Sequence, residues 1–249
     1  MVILACRTPA GSASGRISRK APSPRRQAAD IGPTAPTEDR HTSLRWRPGG
    51  WRDLPVQQMM FHTGVSVAAD LMLVQNHRVK STHIDALAHW SSGDEVYPGR
   101  PRDQVVTAGG VTFASTAAFA AGIVTRGVLL DLAVEEPLPS GYAVTSRDLE
   151  EAEERQGISL DAVRWMHHRE VSVYTGDRGD AFPPLDPDGP SPLHGVALGR
   201  MAMPLIDASQ LDDLAALCAE LEGYSFPLIV APPRVHDMTG SPVDPVAVF

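Results

Sequence analysis

The sequence predicts an α/β domain behind a flexible basic extension, and three observations carry that prediction. From Trp51 onward, short apolar runs of strand length alternate with segments of helical periodicity. The chain has 249 residues, 43% of them hydrophobic and 21% charged, which is enough for a substantial core. Residues 1–45 differ in texture: they are rich in Pro, Ser, Ala, Arg and Gly and lack apolar periodicity. Composition therefore places a disordered basic extension at 1–45 and the folded domain at 46–249.

The elements follow in chain order. Leu71-Met72-Leu73-Val74 reads as a strand, and Gly127–Leu132 as a buried strand between turn signals. A helix is expected over 146–155, because Asp148 stands three residues after Thr145 in a capping-box spacing. A second is expected over 160–168, followed by a strand at Val171–Tyr174. The third, over 211–222, presents Leu211, Leu214, Ala215, Leu217, Cys218 and Leu221 on one face and stops at Gly223. Phe226–Val230 reads as a strand whose Pro227 points to a sheet edge.

Charge and cysteine usage exclude several classes. Residues 1–50 hold nine Lys or Arg against three Asp or Glu, whereas the remainder holds thirteen against twenty-seven. An acidic body argues against nucleic acid as the partner. Two cysteines, Cys6 and Cys218, make neither a disulfide framework nor a thiolate zinc cluster. No apolar run spans a bilayer and no secretory signal pattern opens the chain, so a cytoplasmic protein without membrane association is expected.

Chemistry concentrates in Ser81-Thr82-His83-Ile84-Asp85-Ala86-Leu87-Ala88-His89. On an extended chain, residues two apart face the same side, so His83 and Asp85 present an imidazole and a carboxylate to one point. Such a nitrogen and oxygen pair suits zinc, manganese or ferrous iron. His89 joins them if the chain turns after Asp85. An ordinary polar pair beside a partly buried histidine accounts for the same three residues. His167-His168 and the acidic run Glu150 to Glu154 read as solvated helix faces, and Asp177, after a strand, is open between structural and site roles.

The segment resembles the motif HxGTHxDxxxH of the cyclase family that includes bacterial kynurenine formamidase. Thr82, His83, Asp85 and His89 fall on its central positions. Further blocks agree in order. They are Gly127–Asp131, Trp165–Val171, Pro192-Leu193-His194 with Met203-Pro204-Leu205-Ile206-Asp207, and the ending Gly240–Phe249. The likeness runs from about residue 59 to the C-terminus.

The resemblance implies a swivelling β/α/β domain with a mixed sheet and flanking helices. It implies metal ligation by His83, Asp85, His194 and Asp207, with His89 as the catalytic histidine. It implies hydrolysis of a small amide, N-formyl or cyclic and arylformamidase-like, or of an ester. Zinc or manganese would serve as cofactor, in a homodimer or homotetramer. The sequence departs from the family in three ways. Val79 stands at the first motif histidine, and His77 reaches the same point only if the chain folds back. Asp207 replaces a glutamate. The strand resembling GDxVLxRTG, usual between the helix at 146–155 and the tryptophan block, is missing. These departures motivate the alternative of an impaired member that binds a small molecule or another subunit.

Overall fold

The computed structural model describes residues 2–5, 28–30, 56–77, 81–133, 138, 139, 142, 144–157, 171–177, 180 and 192–249. The expected helix at 160–168, with His167-His168, and Val79 lie outside these residues. In chain order the strands are β1 (Val2–Ala5), β2 (Ala28–Asp30), β3 (Val56–Thr63), β4 (Ala68–Val74), β5 (His83–Asp85), β6 (Glu95–Val96), β7 (Arg100–Pro101) and β8 (Val106–Thr107). They continue with β9 (Gly110–Val111), β10 (Ile123–Leu130), β11 (Val173–Gly176), β12 (Leu205–Asp207), β13 (Ser225–Val230), β14 (Gly240–Pro242) and β15 (Val246–Val248).

Nine strands form one mixed sheet in the order β14-β5-β12-β11-β1-β10-β13-β15-β2. β1 runs parallel to β10 and β11, and β11 runs parallel to β12; the other neighbours are antiparallel. Alternation along the strands feeds two apolar layers. On one face Leu129, Val173, Ile206, Phe226 and Leu228 pack against Leu214, Ala215 and Cys218 of the helix Asp212–Leu221. On the other, Val128, Leu130 and Leu205 pack against Ala152 of Ser146–Arg155 and against Ala197 and Leu198 of Pro192–Arg200. Each fully buried Val or Leu contributes about 1.5–3 kcal/mol relative to exposure. Gly127 is required by contact: a Cβ there would lie 2.5 Å from the Phe226 ring.

Several expectations hold. The helix at Ser146–Arg155 carries the reciprocal capping box of Thr145 and Asp148. Asp212–Leu221 and the strands β10, β11 and β13 lie within two or three residues of their expected places or overlap them by more than half.

Others are corrected. Residues 2–5 and 28–30, inside the stretch whose composition reads as an extension, are strands of the main sheet. Val2–Ala5 is an apolar run of only four residues, too short to register against its polar surroundings. β1 lies between β10 and β11, parallel to both. Pro227 is not on an edge strand, because β13 lies between β10 and β15. On β13 the residues that pair with β15 are Leu228 and Ile229, so the proline sits beyond that ladder. Leu71–Val74 belongs to a separate β3–β4 ribbon with Phe61, Leu71, Met72 and Leu73 exposed. No helix among the described residues is long and apolar enough to cross a membrane.

Candidate metal centre

The centre is built on β5, three residues held between β12 and β14. His83 lies opposite Asp207 and Pro242, and Asp85 opposite Leu205 and Gly240. The Thr82 hydroxyl donates to the Ala208 carbonyl at 2.9 Å, and the Val243 amide to the Thr82 carbonyl at 3.1 Å. His83 and Asp85 share one face, as period two requires, and Asp85 is completely buried. After Ala86 the chain enters a 3-10 turn, Leu87–His89, which carries His89 back to the cluster.

The four residues expected as ligands come together, along with His89. His83, Asp85 and Asp207 each offer a ligand atom within 4.8 Å of the others. His194 Nε2 lies 3.4 Å from both Asp85 Oδ2 and Asp207 Oδ2. The shorter Asp207 therefore reaches the cluster from the end of β12. His89 stacks on His77, with ring centroids 3.8 Å apart and planes at 7°.

Hydrogen bonds orient two of the imidazoles. His83 Nδ1–H donates to the Ser81 carbonyl at 2.7 Å, leaving Nε2 bare, 3.5 Å from Asp85 Oδ1. His194 Nδ1–H donates to Asp180 Oδ2 at 2.8 Å, leaving Nε2 toward the carboxylates. Asp180 also accepts the backbone amides of Leu193 and His194, so one carboxylate caps the helix Pro192–Arg200 and aims its histidine. Neither Asp85 oxygen, nor Asp207 Oδ1, has a hydrogen-bond partner, although all three are buried. Buried carboxylates in that condition call for positive charge.

The electrostatics express the same demand. Burial alone would raise the Asp85 carboxyl; the imidazoles of His194, His77, His89 and His83 outweigh it and hold Asp85 well below the usual range. Burial opposes charge on His194, yet Asp180, Asp207 and Asp85 push it up to about 11. His89 goes the other way: burial first, then the neighbouring imidazoles, outweigh Asp85 and push it down to about 4. An oxygen and nitrogen donor set with unsatisfied carboxylates fits a divalent cation.

Sequence reasoning missed one member of this cluster and made another conditional. Asp180 lies in the loop after β11, three residues past the singled-out Asp177; an acidic residue beyond the carboxyl end of a parallel strand was the available signal. His77, expected to reach this point only if the chain folds back, lies with its Nδ1 3.0 Å from Asp85 Oδ1.

The fold is similar to that of a novel cyclase of solved structure, at 22% identity and a TM-score of 0.72, covering 90% of this chain and 89% of that one. It is also similar to an isatin hydrolase bound to the product analogue thioisatinate, at 15% identity and a TM-score of 0.56, covering 90% and 92%. Isatin hydrolase A from Ralstonia solanacearum aligns at 15% identity and a TM-score of 0.54, with the same coverages. None of the curated proteins matches in sequence. The family profile described as "Putative cyclase" matches residues 43–178, more than half of the chain, and it is to that family that the chain belongs.

Proposed function

We propose that this chain is a metal-dependent hydrolase of a small amide, N-formyl or cyclic in the manner of an arylformamidase, or of an ester. The observation that carries the proposal is the convergence of the Nε2 atoms of His83 and His194 on the buried carboxylate oxygens of Asp85 and Asp207. His83, Asp85, His194 and Asp207 would hold the ion, and their nitrogen and oxygen atoms suit zinc or manganese. A divalent ion in such a site lowers the pKa of water, to about 7 for zinc, and polarises a carbonyl.

The protein's own part is positional and protonic. Ser81 and Asp180 fix the tautomers of His83 and His194. His89, whose pKa is pushed down to about 4, is neutral at pH 7 and free to take a proton from water and return it to the leaving amine. Similarity to isatin hydrolases in fold is consistent with a cyclic amide as substrate. The proposed assembly is a homodimer or homotetramer, in keeping with the exposed Phe61 and Met72 of the β3–β4 ribbon.

To test the function, the protein is stripped with a chelator and assayed on N-formylkynurenine and simple lactams. Activity should vanish, return with zinc or manganese, and fail to return in His83→Ala. Hydrolysis that survives both chelation and His83→Ala would overturn the proposal.

A further inference from the structure

His77 occupies a seat that several residues build for it. A Cβ on Gly240 would lie 2.5 Å from His77 Cε1, so only glycine leaves room for the ring. Gly240 is the β14 residue directly opposite Asp85, which puts that room beside the carboxylate. Asn76 Nδ2 donates to the Gly240 carbonyl at 2.8 Å and holds the chain against β14 just before His77. On the ring itself, Nε2 lies 3.0 Å from Thr239 Oγ1, while Nδ1 lies 3.0 Å from the unpartnered Asp85 Oδ1.

This is the arrangement seen at His83 and His194. One ring nitrogen is engaged by a protein oxygen, and the other is turned on a carboxylate that lacks a hydrogen-bond partner. Metal-binding histidines characteristically donate their second nitrogen in this way, which sets the tautomer and the ring orientation. The sequence has Val79 where a first histidine is expected, and valine offers no donor atom.

We propose that His77, through Nδ1, is a ligand of the divalent cation held at Asp85, supplying from two residues upstream the imidazole that Val79 cannot. Nε2–H then donates to Thr239 Oγ1. The stacked His89 ring is held parallel to a fixed ligand. The inference rests on the metal-binding reading above.

The test uses the full chain loaded with Co(II), because imidazole N–H protons of ligating histidines appear as hyperfine-shifted, exchangeable proton resonances. The wild-type protein should show at least three such resonances, for His77, His83 and His194. His77→Ala should lose one and weaken Co(II), measured by chelator competition, by more than about 100-fold, the upper range for losing an outer partner. Equal resonance counts in wild type and His77→Ala would overturn the assignment of His77 alone. A wild-type chain that takes up no Co(II) would overturn the metal reading itself. Should His77→Ala not fold, Thr239→Val keeps the ring and releases its N–H. One resonance should then exchange faster while the others stay, and no change in any resonance would overturn the proposal.

Discussion

An imidazole has two nitrogens, and the partner of one decides what the other can do. At His194 the deciding partner is Asp180, which holds Nδ1–H while also capping the helix that carries the histidine. Burial alone would raise the Asp180 carboxyl, but the His194 ring and the two backbone amides hold it below its usual range. Asp180→Ala should weaken zinc binding by about 10–100-fold, read by competition with a chromophoric chelator, since outer partners of metal-binding histidines act on that scale. Affinity equal to wild type would show that His194 is aimed by something else. His83 and Asp85 were legible in the sequence because they face one side by local periodicity. Asp180 and His77 were not. Their neighbours, His194 and Thr239, stand 14 and 162 residues away, and only the closed sheet brings them together.

At the scale of elements, legibility follows the range of the interactions that make the element. The helix Ser146–Arg155 was readable because its start is a four-residue device. The Asp148 amide donates to the Thr145 hydroxyl, and the Thr145 amide donates to Asp148 Oδ2 at 2.7 Å. Thr145→Ala should cost about 1 kcal/mol and lower the thermal midpoint by roughly 2–4 °C. The Thr145 hydroxyl, then its backbone amide, then the Tyr142 hydroxyl hold the Asp148 carboxyl below its ordinary 3.8. A depressed folded pKa stabilises above the unfolded value and is lost as pH falls through the folded one. The stability gap between wild type and Asp148→Ala, from urea unfolding, should therefore be full at pH 7 and shrink below about pH 3.8; a constant gap would refute the linkage. β5 shows the opposite case. Three residues cannot announce a strand when both partners, Leu205–Asp207 and Gly240–Pro242, come from the far end of the chain.

Across the whole molecule, the main sheet divides at β1. One half, β14-β5-β12-β11, carries His83, Asp85 and Asp207; the other is β10-β13-β15-β2. Among the described strands, the two halves are hydrogen-bonded to each other only through Val2–Ala5. The composition of the first 45 residues concealed this, because a four-residue apolar run vanishes in a polar average. Leu4 pairs in register with Leu129 and Thr175, so proline there removes an amide donor from one ladder or the other. Leu4→Pro should cost about 3 kcal/mol or more, and hydrogen exchange should quicken at residues 123–130 and 173–176 ahead of β13 and β15. Unchanged exchange at both neighbours would mean that the strand does not join them. Ala5 ends beside Leu130 and Gly176, so the first residue of β1 lies at the other end of its ladders. Prising β1 out of its two ladders would thus loosen the plate on which the centre is mounted while leaving each of the centre's side chains intact.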